Sequence, residues 1–242
     1  MTVELVALCW DADDPRRLAA FWADALRWGI GDEVDGVISL VPTDGTRFQI
    51  DFARVPERKG TAANRLHLDL TTTSRDDQMQ TVERMIELGG RHIDIGQRPE
   101  EDHVVLTDPE GNELCIIGPT NQFLSTCGRF GSITCVGSRA VGYFWSAALG
   151  WPLVWDQDDE TAIRAPDLTG PMITWGGGPL PPKSAKNRLH LDIAPHADDD
   201  QSAEVERLIA LGARRVDIGQ GDVDWVVMAD PDDNEFCVLT PR

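Results

Sequence analysis

The sequence has no Cys-x-x-Cys pair, no basic leader followed by an apolar run, and no apolar stretch of the ~18 residues that a membrane span needs. Paired-thiol motifs and a transmembrane helix are therefore not expected. The five cysteines (Cys9, Cys115, Cys127, Cys135 and Cys237) are odd in number, which fits reduced thiols in the cytoplasm rather than a disulfide frame. Positive charge is scarce. Lys and Arg number 22 against 41 Asp and Glu, for a formal net charge of −19. Such a surface repels phosphate backbones, so no nucleic-acid partner is expected. The acidic residues are scattered rather than gathered in a tail, as on a solvated surface.

What the chain does have is an internal repeat. Asn64-Arg65-Leu66-His67-Leu68-Asp69-Leu70 returns 123 positions later as Asn187-Arg188-Leu189-His190-Leu191-Asp192-Ile193. A copy at that period divides the 242 residues into two domains, 1–119 and 120–242, each long enough to bury a core. The stretch also alternates. Leu66, Leu68 and Leu70 face one side of a strand, and His67 and Asp69 face the other. Phe21-Trp22 recurs as Phe144-Trp145, and Asp108-Pro109-Glu110-Gly111-Asn112 recurs as Asp230-Pro231-Asp232-Asp233-Asn234.

Local signals supply the elements. Leu5 to Trp10 reads as a strand. Asp14 and Pro15 start a helix whose apolar face is Leu18, Phe21, Trp22 and Ala25. Val37 to Val41 and Arg47 to Phe52 form a hairpin. After the strand Leu66 to Leu70, Ser74 caps a helix with Asp77 three residues on, and Met79, Val82 and Ile86 form its predicted buried stripe. His92 to Ile95, Val104 to Thr107 and Glu113 to Ile117 read as strands. The second copy repeats this order and adds a Gly- and Pro-rich loop, Trp175 to Pro182. The boundary falls in the turn-rich segment 118–131. Trp22 and Trp145 lie on helix stripes and belong to the core.

These motifs, at these spacings and twice over, resemble the vicinal oxygen chelate superfamily: glyoxalase I, the bleomycin-resistance proteins and the extradiol dioxygenases. The resemblance implies an α+β tandem glyoxalase/bleomycin resistance/dioxygenase fold, in which paired βαβββ units of each domain close a curved sheet around a cleft. Metal-dependent members hold one divalent ion there, and the resemblance places the ligands at Glu4, Asp51, His67 and Cys115. Cys115 stands where the family has a glutamate, and Glu4 where a histidine is more usual. The second copy keeps only His190 and Cys237 as ligand types.

Strand alternation independently gathers Gln49, Asp51, His67, Asp69, Glu113 and Cys115 opposite the leucines, as polar groups lining a pocket would be. Three readings stay open. The first is a binding module for a small apolar or aromatic molecule, without a cofactor, serving resistance or sequestration. Its contacts would be Gln49, Cys115, His190, Asp192, Trp175 and Trp225. The second is a lyase, isomerase or dioxygenase using one zinc, nickel, iron or manganese ion in the first domain, with Glu113 as acid or base. A metal-free variant would use His67 and Asp69 for proton abstraction. The third is a pair of vestigial clefts in a protein that acts as an interaction partner. The expected assembly is a monomer with paired domains or a homodimer.

Overall fold

The computed structural model describes residues 3–98, 100–176 and 180–242. Four βαβββ units follow one another. The first holds β1 (Val3–Ala12), α1 (Pro15–Leu26), β2 (Gly29–Val34), β3 (Val37–Val41) and β4 (Gln49–Arg54). The second holds β5 (Leu66–Thr71), α2 (Arg75–Glu87), β6 (Arg91–His92), β7 (Val104–Thr107) and β8 (Glu113–Ile117). The third holds β9 (Phe130–Cys135), α3 (Arg139–Leu149), β10 (Leu153–Gln157), β11 (Glu160–Ile163) and β12 (Met172–Trp175). The fourth holds β13 (Leu189–Pro195), α4 (Gln201–Leu211), β14 (Arg214–Arg215), β15 (Val226–Ala229) and β16 (Glu235–Val238). Of the loop after β12, Gly177, Gly178 and Pro179 lie outside the described residues.

Local chemistry sets the helices. Asp14 accepts the Arg17 N–H with Pro15 in the first turn, and Ser74 accepts the Asp77 N–H. The predicted stripe of α2 is corrected. Met79 is 57% exposed and Ile86 38%, while Gln78, Thr81 and Met85 are buried. Gln78 reaches inward because its amide donates to the carbonyls of Asp102 and Ile116. Burial of such an amide is tolerated once its hydrogens are paired.

The pairing of units also departs from the sequence reading. The first sheet runs β14-β15-β16-β13-β1-β4-β3-β2, and the second runs β10-β11-β12-β9-β5-β8-β7-β6. Each half of the chain therefore does not close its own sheet: unit one pairs with unit four, and unit two with unit three. The seams are the antiparallel pairs β1–β13 and β5–β9. Sequence neighbours are tied on the helix side instead. Trp22 on α1 donates its indole N–H to Asp108 at 3.2 Å, and Trp145 on α3 does the same to Asp230 at 3.2 Å. The Phe-Trp helix and the Asp-Pro turn are thus two halves of one contact.

The repeated arginine clasps across the exchange. Arg65 donates to Asn234 Oδ1 at 2.7 Å and to the Asp232 carbonyl at 2.8 Å. Arg188 donates to the Asp11 carbonyl at 2.7 Å and to Glu110 Oε2 at 3.1 Å. The helix-facing residues of both sheets, including Trp10, Phe52, Leu68, Ile133, Trp175 and Phe236, merge into one buried core.

Candidate functional site

Two concave faces result, and register makes them comparable. On the second sheet, Asp69 pairs with Cys115 and Ser132, and His67 with Thr134. On the first, Asp192 pairs with Cys237 and Ala7, and His190 with Cys9. Both faces carry His-x-Asp, a cysteine and a valine paired with it (Val105, Val227), but they differ at the positions contributed by β1, β3 and β4 against β9, β11 and β12.

On the second sheet the aspartate is satisfied from within. Ser132 and Thr134 donate to Asp69 Oδ2 at 2.5 Å and 2.7 Å, and Thr174 continues the chain to Thr134 at 3.2 Å. His67 Nε2 lies 3.4 Å from Asp69 Oδ1. Burial pushes against charge on both partners. The pairing wins: His67 is held well above the usual histidine value by Asp69 and Cys115, and Asp69 below the usual carboxylate value by His67, Ser132 and Thr134. Burial raises the Cys115 thiol against the pull of His67.

The rest of this face is closed by apolar packing. Val105, Cys115, Ile117, Ala162 and Met172 form a separate buried cluster with Leu124 of the connecting segment 118–129. Phe123 of the same segment meets Trp155 edge-on at 5.1 Å. The segment between units two and three thus covers the apolar part of this face, while the His67 side chain keeps 29% exposure against 11% for His190 on the first sheet.

On the first sheet the counterparts turn polar. Ser39, Gln49 and Asp51 stand where the second sheet has Ala162, Met172 and Thr174. Ser39 and Gln49 donate to Asp51 Oδ1 at 2.5 Å and 2.8 Å. Cys9, Ser39, Gln49, Asp51 and Asp192 all keep partial exposure. Trp225, 41% exposed, lies one residue before β15, at the β15 end of this sheet. His190 lies 3.2 Å from Asp192. Burial lowers the His190 value, but Cys9, Asp192 and Cys237 together hold it well above normal. Burial raises the Cys237 thiol.

The structure redistributes the predicted site residues. Glu4 and Asp51 lie on the first sheet, and His67 and Cys115 on the second, so the four do not surround one point. Glu4 is at the far end of β1, its side chain 70% exposed, 3.5 Å from His196. Glu113 is paired with Lys59 at 3.1 Å and accepts the Asn64 N–H, which occupies it structurally. Trp175 is 2% exposed and stacks on Trp145 beneath the sheet, so it lines no cleft. Cys9 and Ser39 went unpredicted, although each alternates with apolar neighbours in its own strand.

An oxygen-rich divalent centre does not fit this donor set. The glutamate position holds a thiol on both sheets (Cys115, Cys237), and Asp51 is already engaged by Ser39 and Gln49. Among the described residues, two groups bring three ligand types within 4.8 Å of one another: Cys9, His190 and Asp192, and His67, Asp69 and Cys115. A cavity of about 290 Å³ lies elsewhere, between the loops before β5 and β13. Its arginines and lysines are occupied, as Arg65, Lys183, Lys186 and Arg188 each meet a protein acceptor. No helix of the described residues is long and apolar enough to cross a membrane.

Comparison with known proteins fits this geometry. The glyoxalase-like domain family matches residues 7–117 and again 132–239, and the chain belongs to that family. Glyoxalase I of Zea mays superposes with a TM-score of 0.62 at 13% identity, over 99% of this chain and 92% of that one. A Bacillus subtilis protein provisionally called a dioxygenase superposes at 0.63 and 15% identity, over 99% and 85%. At such identities the likeness concerns the fold alone. A search among curated protein sequences returns no significant match.

Proposed function

We propose that this glyoxalase-like protein binds a small, largely apolar or aromatic molecule on the concave face of the first sheet. One observation carries the reading: Ala162, Met172 and Thr174 of the covered face are exchanged for Ser39, Gln49 and Asp51 on the open one. A face of part-exposed hydrogen-bonding groups with an exposed aromatic side chain, Trp225, at the β15 end suits an aromatic ring bearing a polar substituent. Asp51 and Asp192 would accept from that substituent. The reading needs no oxygen-rich metal centre, and the glyoxalase or dioxygenase chemistry of structural relatives is not required by it. Resistance or sequestration is the role that binding without turnover would serve.

Titration of aromatic acids, phenols and amines against intrinsic tryptophan fluorescence tests it. A saturable change that disappears in Trp225→Leu is expected. No saturable change across the panel, or one that persists unchanged in Trp225→Leu, would overturn the assignment.

A further inference from the structure

We propose that Arg164 anchors a second, separate binding site, for a small apolar carboxylate, beneath the segment that covers the apolar part of the second sheet. The site lies on the other sheet from the cleft of the proposed function, takes a different ligand chemistry and does not rest on that reading.

Arg164 follows directly on β11 and is 4% exposed. Its hydrogen bonds go to neutral acceptors. Nε donates to the Gly170 carbonyl at 3.0 Å, and Nη1 donates to the Thr126 carbonyl at 3.2 Å and hydroxyl at 3.3 Å. Among the described residues, Nη2 makes no hydrogen bond and no carboxylate pairs with the group. A guanidinium cannot shed its charge, so burial without a counter-charge is costly. Carboxylates are plentiful, at 41 Asp and Glu against 22 Lys and Arg, yet none is placed there. Nor does the fold require an arginine at this position. One repeat period earlier, 123 positions back, stands Val41, 49% exposed.

A second donor without a partner belongs to the same region. Trp155 packs on the apolar cluster under the covering segment, and its Nε1 is buried and unpaired among the described residues. A charged donor, a neutral donor and apolar walls from Ala162, Met172 and Phe123 suit a ligand with anionic oxygens and an apolar body. The carboxylate would accept from Arg164 in place of Thr126. The covering segment is lightly held. Residues 121–125 hydrogen-bond only within residues 118–127. The side chains of Phe123 and Leu124 hold them to the sheet, with Phe123 against Trp155 at 5.1 Å. A cavity of about 310 Å³ beside the segment, lined in part by Ile117, Leu124 and Cys127, provides the way in. Cys127 is the chain neighbour of Thr126, so this cavity leads toward the guanidinium.

Calorimetric titration of the full-length protein with hexanoate, and with the uncharged hexanamide of the same shape, tests the site. Hexanoate should saturate and bind at least about tenfold more tightly than hexanamide, since only the acid carries the charge. Arg164→Gln should abolish that preference, whereas Val41→Ala, at the equivalent position of the first sheet, should leave it unchanged. Phe123→Ala keeps Arg164 and removes the ring that fills the site. It should tighten hexanoate binding by about threefold or more, which covers an Arg164 variant that fails to fold. No saturable hexanoate binding in the wild type, equal affinity for acid and amide, or a preference that survives Arg164→Gln or is lost in Val41→Ala would overturn the site. So would unchanged or weaker binding in Phe123→Ala. Hexanoate has no aromatic ring, so failure here is distinct from failure of the first-sheet reading.

Discussion

Asp69 and Asp192 occupy equivalent places two residues after a histidine, yet their neighbours differ: Ser132 and Thr134 beside the first, Ala7 and Cys9 beside the second. Asp69 sits in a closed network with His67, Ser132 and Thr134. That network has a pH signature. His67 is raised in the fold, so its contribution to stability is complete below about pH 6.5 and is lost as pH rises through the raised value. Asp69 is lowered, so its contribution is present above about pH 4 and is lost as pH falls through the lowered value. The thermal midpoint should therefore gain most from this pair between about pH 4 and about pH 6.5. His67→Gln should flatten the alkaline side of the profile, and a variant profile parallel to wild type would contradict the assignment. Both residues were legible from strand alternation alone. Their partners were not, because Ser132 and Thr134 lie on a strand 63 and 65 positions away from Asp69.

Helix α2 shows where periodicity fails as a guide. Its apolar residues Met79 and Ile86 face outward, while polar Gln78 and Thr81 face inward because backbone carbonyls and Arg129 need their hydrogen bonds. Hydrophobic spacing registers apolar transfer but not this kind of polar pairing. Met85→Ala should cost about 2–5 kcal/mol in chemical denaturation, and Met79→Ala within about 0.5 kcal/mol. Equal losses for the two would restore the stripe read from sequence. Strands fared better. Val104–Thr107 and Glu113–Ile117 lie where alternation and the intervening turn placed them. The edge strand Gly29–Val34 was missed because its glycines read as a helix stop.

At the scale of the whole molecule, the repeat and the family were legible, but the exchange of units between sheets was not. Pairing within a half and pairing across halves use the same local patterns. The choice lies in contacts such as Arg65 to Asn234, 169 positions apart, which no short motif encodes. For the same reason Glu4 and Asp51 were grouped with His67 and Cys115, although they stand on different sheets. A fragment of residues 1–119 would expose both seam strands, β1 and β5. It should therefore self-associate or fail to fold, as gel filtration with light scattering would show, and a folded monomer would contradict the exchange. The proposed function puts the working site in the cleft joining the first and last units rather than in the covered one. The most direct test is the affinity of one aromatic ligand from the titration panel for Asp51→Ala and for its counterpart on the other sheet, Thr174→Ala. The structure predicts a loss of about tenfold or more for Asp51→Ala and none for Thr174→Ala. Loss in Thr174→Ala with Asp51→Ala unchanged would place the site on the other sheet and contradict the account.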